Sequence, residues 1–167
     1  MISDWSRGLI LFWYSWFLYV VCNPVTKKWL LLSGSNHSCS SACFRFDPTV
    51  SHFHVFEYGI NDDNSLGVNI YSSKTRAWIF KESEWGEGIV VSTHGKGVFV
   101  NGFMHMLEFT QIVAVDMEGK TWRKICRPRG EAISIHQAQG QLYLCTASMF
   151  RKYQLLFWIL EDYGIDN

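Results

Sequence analysis

The chain has 167 residues, of which 48% are hydrophobic and 18% are charged, and its 15 basic and 15 acidic side chains cancel. This composition excludes intrinsic disorder, and zero net charge leaves no overall field to hold nucleic acid or an anionic membrane. The length suits one ordinary domain or part of a larger one. Aromatic residues make up 16% of the chain, which favours an all-β fold because aromatic side chains gain most from cross-strand packing.

The first element is an apolar segment at residues 9–22, broken only by Ser15. It is shorter than the ~20 residues of a membrane-spanning helix and lacks the small-residue cleavage site of a secretory signal. We therefore expect two buried strands joined at Tyr14 and Ser15; a signal or anchor segment is the alternative. The five cysteines form no disulfide framework, so reduced thiols and a cytoplasmic or nuclear location are expected.

Four repeats of an apolar strand and a polar turn follow along the chain. The turns begin 49, 44 and 46 residues apart, at Asn23, Ser72, Asp116 and Asp162. A tryptophan stands six residues after each of the first three, as Trp29, Trp78 and Trp122. The turn side chain is expected to aim this ring, which can bury ~150–250 Å² between neighbouring sheets. We assign all three tryptophans a structural role.

A period of 44 to 49 residues built only from strands and turns corresponds to one four-stranded blade of a β-propeller. Asn101-Gly102 and Gln139-Gly140 mark tight hairpins, because these residues supply positive φ angles. Gly8 takes the place of Gly102 in the first repeat, so that repeat is expected to lack its innermost strand. The fold prediction is an all-β, kelch-like β-propeller segment of about 3.5 four-stranded blades, incomplete at its last repeat.

The predicted domain organisation is a single domain over residues 1–167. Its repeat units are expected at about 1–32, 33–82, 83–126 and 127–167, with the last one truncated. An unclosed propeller exposes a strand edge that invites pairing. The segment is therefore expected to close with another copy, to be marginal alone, or to be a truncated product.

Patterns for catalysis and for small ligands are weak. The chain has no GxSxG elbow and no phosphate-binding glycine motif, and acidic residues such as Glu82 are expected to be solvated loop charges. Five potential zinc ligands fall within 18 residues, namely His37, Cys39, Cys43, His52 and His54. Their CxxxC and HxH spacing does not match known zinc sites. We expect no enzyme activity, no cofactor and no metal site.

One basic cluster lies around the third tryptophan, at Lys120, Arg123, Lys124, Arg127 and Arg129. Strand alternation would place Arg123 and Arg127 on one face, where they could contact phosphate or an acidic peptide. Because the chain has no net charge to support it, nucleic acid is not the expected partner.

Six blocks of sequence stand in order along nearly the whole chain: CNPVTKKW from Cys22, FRFDPTVSHFHVFEY from Phe44, IYSSKTRAW from Ile70, GVFVNGFMHML from Gly97, IVAVDMEGKTWRKI from Ile112 and WILEDYG from Trp158. Together they resemble the F-box-associated, kelch-like propeller region of plant F-box proteins. The resemblance implies a protein-protein interaction module similar to the substrate-recognition region of an SCF-type E3 ubiquitin ligase, acting in ubiquitin-dependent protein degradation. The alternative is a truncated, non-functional or interfering product with no ligase role.

The sequence departs from this family pattern at both ends. No F-box precedes Asp4, and the family's next tryptophan-containing strand after the last block is absent. A Skp-type adaptor is therefore an expected partner only through a longer isoform that carries an F-box. The other expected partner is a target protein whose identity the sequence does not give. A membrane is not an expected partner.

Propeller geometry predicts where a target would bind. Loops between the second and third strands of a blade open on the same face as the connections between blades, and loops on a rigid scaffold are common recognition sites. The former are expected at 12–16, 48–52, 108–111 and 148–152, and the latter at 34–41, 82–88 and 127–130. The candidate partner-binding residues on these loops are Tyr14, Trp16, His52, Glu108, Arg127, Arg129 and Arg151.

Overall fold

The computed structural model of the chain describes residues 2–15, 18–34, 38–47, 50–60, 63, 65–83, 97–108, 111–128, 131–148 and 154–160. Within these residues it contains fifteen β-strands in four antiparallel sheets and no helix. Accordingly, no membrane-spanning helix is found in this part of the chain. The all-β prediction is confirmed.

The first compact unit is Met1–Glu87 and contains two four-stranded sheets, each a simple meander. Sheet A consists of β1 (Ile2–Ser6), β2 (Leu9–Ser15), β3 (Leu18–Asn23) and β4 (Lys28–Ser33). Sheet B consists of β5 (Ser38–Asp47), β6 (His52–Ile60), β7 (Leu66–Ser72) and β8 (Ala77–Glu82).

The second compact unit is Gly88–Asn167. Sheet C consists of β9 (Val98–Val100), β10 (Phe103–Leu107), β11 (Gln111–Asp116) and β12 (Trp122–Cys126). Sheet D consists, in the described residues, of β13 (Glu131–Ala138), β14 (Gln141–Ser148) and β15 (Gln154–Leu160). Three four-stranded sheets and one three-stranded sheet agree with the predicted segment of about 3.5 blades. The single domain stays a prediction.

The hairpins between the first and second strands mostly follow the predicted turn chemistry. Asn101 and Gly102 have φ angles of 50° and 86°, and Gln139 and Gly140 have 51° and 77°. The same turn at Gly8 (φ 79°) joins β1 to β2. The prediction that the first repeat lacks its innermost strand is therefore wrong. The short strand β1, ISDWS, has too little apolar periodicity to be recognised from sequence.

A second correction concerns the hairpin of sheet B. Residues 48–51 join the first strand β5 to the second strand β6, and not the second to the third as predicted. No glycine marks this turn; the positive φ falls on Ser51, at 52°. The strand β5 also begins at Ser38, inside the polar stretch that was expected to connect two sheets. Likewise, β2 runs through Tyr14 and Ser15, where a connection between strands was expected, and β3 begins at Leu18.

Sheets A and B share one hydrophobic core in the first unit. Sheet A contributes Leu11, Tyr19, Val21 and Leu32, and sheet B contributes Phe44, Val55 and Tyr71. The first strands of the two sheets, β1 and β5, are also joined by hydrogen bonds. The backbone N–H of Phe44 donates to Asp4 Oδ2 at 2.8 Å, and that of Phe46 donates to Ser6 Oγ at 3.3 Å. Side chains of β1 thus partly satisfy the edge of β5.

Sheets C and D pack in the same way in the second unit. Their core contains Val100, Leu107, Ile112, Ala114 and Ile125 from sheet C with Ile135, Leu142 and Leu144 from sheet D. All eight side chains are nearly inaccessible to solvent. Burial of this size is the main favourable contribution to folding.

Candidate functional site

The turn side chains of the first three repeats hold the loop that precedes each repeated tryptophan. Asn23 Oδ1 accepts from the backbone N–H groups of Val25 and Thr26 at 3.0 and 3.1 Å. Ser72 Oγ accepts from Lys74 at 3.3 Å. These bonds confirm the predicted side-chain-supported turns.

The third turn is the most extensively bonded. The Asp116 carboxylate accepts from the backbone N–H groups of Glu118, Lys120 and Thr121 at 2.9 to 3.1 Å. Burial by itself raises the pKa of this carboxyl, but these hydrogen bonds outweigh it and lower the pKa below its usual value. The charged form of Asp116 is therefore the one that stabilises the turn.

Each repeated tryptophan ends a row of four residues that are paired across its sheet and lie on one face. The rows are Trp5–Ile10–Cys22–Trp29 in sheet A, Phe44–Val55–Tyr71–Trp78 in sheet B, and Phe99–Met104–Val115–Trp122 in sheet C. We call the face with this row the front face of a sheet and the opposite face its back face.

Trp78 lies where sheets A and B meet. Its ring lies 6.4 Å from the ring of Tyr19 in sheet A and 5.4 Å from that of Tyr71 in its own sheet. Its indole N–H donates to the backbone carbonyl of Ser33 at 2.6 Å. The front face of sheet B thus packs on the back face of sheet A, and Trp78 joins the two.

Trp29 departs from the burial predicted for the repeated tryptophans. Its side chain is 71% exposed, so the expected burial between sheets is wrong for this ring. The physical reason is that, in the described residues, sheet B packs on the back face of sheet A, through Leu11, Tyr19 and Val21, and not on the front face that carries Trp29. Trp122 is half-buried, and its indole N–H donates to the carbonyl of Gly119 at 3.3 Å, inside its own turn.

Two candidate partner-binding residues lie in the first unit, at opposite ends of its sheets. Tyr14 stands near the end of β2, before the turn to β3, and is 75% exposed. His52 begins β6 and is half-buried. Because the loop before His52 joins the first and second strands, this residue lies at the hairpin end of sheet B. Its predicted place among the second-to-third-strand loops is wrong.

Two more candidates lie at one end of sheet C. Glu108 follows β10 and is 3% exposed; its Oε2 accepts from the side-chain amide of Gln111 at 3.0 Å. Arg127 is half-buried and follows Cys126, the register partner of Gln111. The fold therefore brings Glu108 and Arg127 to neighbouring places, with Arg127 the more accessible. Trp16, Arg129 and Arg151 lie outside the described residues.

Among the residues that the structure describes, no group of three or more histidine, cysteine, aspartate or glutamate side chains is placed to hold a metal ion. Of the five potential zinc ligands, Cys43 is buried on β5, His52 and His54 are half-buried on β6, and His37 and the Cys39 side chain are outside the description. Burial lowers the pKa of His54. The basic cluster is used in part for packing, since the Arg123 guanidinium stacks 4.1 Å from the Phe103 ring centroid.

One surface was missed by the sequence reasoning. Trp5, Gly8, Leu9, Ile10, Pro24 and Val25 line an open apolar cavity of about 310 Å³ beside the turns of sheet A. Trp5 and Val25 are 66% and 89% exposed. Trp5 reaches this cavity because β1 pairs with β2, where Trp5 lies opposite Ile10. The cavity could not be predicted because the strand β1 itself was not predicted from the sequence.

Comparison with protein families supports this architecture. The family model described as "F-box protein At3g26010-like, beta-propeller" matches residues 1–119. The matched residues include sheets A and B and the first strands of sheet C. A comparison with curated proteins gives no match.

Proposed function

The chain belongs to the F-box protein At3g26010-like beta-propeller family, and on that premise we propose that it is the substrate-recognition region of an SCF-type E3 ubiquitin ligase subunit. Family membership is the observation that carries this proposal. In such a ligase, the propeller binds the target protein and other subunits carry out ubiquitin transfer. The chain therefore acts by binding, without a catalytic residue or a cofactor of its own.

Accessible side chains at the sheet ends support a target-binding role. Tyr14 is 75% exposed beyond the core of sheet A, and Arg127 is half-buried at the end of sheet C. Tyrosine and arginine are enriched among the residues that contribute most to protein interfaces. A tyrosine supplies a large contact area with few rotatable bonds. An arginine supplies a charged, planar guanidinium that donates several hydrogen bonds in fixed directions.

The cellular setting follows from the same proposal. Ubiquitin-dependent degradation places the chain in the cytoplasm or the nucleus, where the free thiols of Cys22, Cys126 and Cys145 are kept reduced. Contact with a Skp-type adaptor requires an F-box joined to this propeller. The target protein is recognised by the propeller itself.

The proposal is tested by target capture with an F-box segment fused to the whole chain. Proteins that the fusion captures and that accumulate when the ligase is inhibited are the candidate targets. Tyr14→Ala and Arg127→Ala should each weaken binding of a purified target about tenfold or more, the loss expected when a tyrosine or an arginine that contributes strongly to binding is truncated. The matched control is Lys74→Ala, in the exposed turn between β7 and β8.

Three results would contradict the proposal. One is the absence of any captured protein whose abundance depends on the ligase. A second is a target whose affinity is unchanged in both variants, which would show that neither Tyr14 nor Arg127 takes part in target binding. Equal losses in the control and in the two variants would likewise count against a specific site.

A further inference from the structure

Four turns of the first unit lie at one end of its two sheets. The hydrogen bonds from Phe44 to Asp4 and from Phe46 to Ser6 align β5 with β1, so the hairpins that follow these two strands lie side by side. In each sheet, the turn between the third and fourth strands lies at the same end as this hairpin, because neighbouring strands are antiparallel. We call this end, at residues 7–8, 24–27, 50–51 and 73–76, the turn end of the first unit.

Each of these turns contains one residue other than glycine with a positive φ angle, and three of the four are basic. Arg7, Lys27 and Arg76 have φ angles of 49°, 56° and 56°, and the fourth residue is Ser51. This left-handed region favours glycine and asparagine, so the turn conformation does not explain the long basic side chains. A residue that its local structure does not explain points to a role outside the turn.

The turn end carries an excess of positive charge. Arg7, Lys27 and Arg76 are exposed, as is Lys28, and within the described part of the chain none of these four forms an ion pair. The carboxylates on the strands that lead into the hairpins are Asp4, which is hydrogen-bonded to β5, and Asp47, which is half-buried. The zero net charge of the whole chain therefore conceals a positively charged end.

Two apolar side chains are exposed at the same end. Val25 is 89% exposed in the turn between β3 and β4, and Val50 is 54% exposed in the hairpin between β5 and β6. A single exposed valine needs no explanation. Two of them beside exposed cations form a surface that has both an electrostatic and an apolar component.

This combination of side chains matches the surface of an anionic bilayer. Anionic headgroups attract lysine and arginine, and the boundary between headgroups and acyl chains takes up apolar side chains. A single-stranded nucleic acid would also bind the cations, but it gains most from aromatic side chains on which bases stack, and valine offers no such surface. An acidic peptide is usually held in a groove or along a sheet edge, and turn tips provide neither.

We propose that the turn end of the first unit binds the surface of an anionic membrane. Arg7, Lys27 and Arg76 contact the lipid headgroups, and Val25 and Val50 reach the acyl boundary. The proposal does not depend on target recognition. Tyr14 lies towards the opposite end of sheet A, at the far end of β2 from the hairpin at 7–8, so this end of the unit stays accessible on the membrane.

The first test measures binding of the complete chain to vesicles by co-sedimentation. Vesicles of phosphatidylcholine with about 30% phosphatidylserine should bind at least about tenfold more tightly than vesicles of phosphatidylcholine alone. Added salt should weaken this binding, because it screens the attraction between exposed charges. Equal affinity for the two kinds of vesicle, or no binding to the anionic ones, would overturn the proposal.

The second test removes single charges from the turn end. Arg7→Asn, Lys27→Asn and Arg76→Asn should each lower the affinity for anionic vesicles about fivefold. Asparagine adopts positive φ angles readily, so these variants keep the turns; glycine replaces it in any variant that circular dichroism shows to be unfolded. The matched control is Lys81→Gln, which removes one charge near the other end of β8 and should lower the affinity less than about twofold. Equal losses in the control and the turn variants would contradict a site at the turn end.

The third test distinguishes a bilayer from other anionic partners. Val25→Ser and Val50→Ser should each lower the affinity for anionic vesicles about fivefold, because serine lacks the apolar carbons of valine. Polyglutamate and a single-stranded DNA oligonucleotide are the competing probes, and both should bind more weakly than the anionic vesicles. Unchanged vesicle binding in both valine variants, or tighter binding of either probe, would overturn the membrane proposal.

Discussion

At the residue scale, His105 links the stability of the second unit to pH. The side chain is fully buried on β10, and burial is the main reason that its pKa falls from 6.5 to about 4. Hydrogen bonds from the ring to the backbone carbonyls of Val98 and Phe103 act in the opposite sense, because they favour the protonated form. The folded chain therefore holds this histidine neutral at a pH where the unfolded chain protonates it.

The expected result is a loss of stability as the pH falls from 6.5 towards 4. With these two pKa values, the free energy of unfolding drops by about 2 kcal/mol between pH 7 and pH 5. Urea unfolding at the two pH values measures the drop. His105→Gln should remove most of it, whereas the exposed His136→Gln should retain it. The same drop in His105→Gln as in wild type would show that another group is responsible.

Trp78 is the residue whose loss should most weaken the first unit. Trp78→Ala removes the ring contacts with Tyr19 and Tyr71 and the hydrogen bond to Ser33. The expected cost is about 2–4 kcal/mol, somewhat below that of a fully buried tryptophan. Trp29→Ala is the natural control, because the same residue type in the equivalent place is exposed.

The free energy of unfolding of both tryptophan variants is measured by thermal or urea unfolding. The protein is kept dilute so that any association between copies does not contribute to the measured stability. Trp29→Ala should change the free energy of unfolding by less than about 1 kcal/mol. Equal destabilisation by the two substitutions would contradict the assignment of Trp78 as the link between sheets A and B.

At the scale of elements, the turns before the repeated tryptophans should differ in their contribution to stability. The Asp116 carboxylate accepts three backbone hydrogen bonds, Asn23 accepts two and Ser72 one. Alanine at Asp116 is expected to cost about 1–2 kcal/mol, with smaller losses at Asn23 and then Ser72. Urea unfolding of the three variants at neutral pH gives the order, and a reversed order would contradict it.

The elements also show what sequence reasoning could and could not predict. Turn chemistry is local, so Asn23, Ser72, Asp116 and the hairpin at Gly102 could be read directly. The hairpin before His52 could not, because its positive φ lies on Ser51, without a glycine to mark it. Once that turn was misread, His52 was assigned to the wrong end of its sheet.

At the scale of the whole molecule, the repeat period correctly predicted the propeller class, because one period corresponds to one sheet. The exposure of Trp29 could not be predicted in this way. A repeat gives equivalent residues the same place in each sheet, but their burial depends on which sheet lies next to them. The same limit applies to the candidate site, since Glu108 and Arg127 are neighbours only through the pairing of β11 with β12.

The measurement that tests the functional account most directly is the half-life of a captured target protein in cells that express the chain fused to an F-box segment. The account predicts that the fusion shortens the half-life, that inhibition of the ligase restores it, and that Tyr14→Ala restores it while Lys74→Ala does not. A half-life that the fusion leaves unchanged, or that the two variants shorten equally, would contradict a role in substrate recognition.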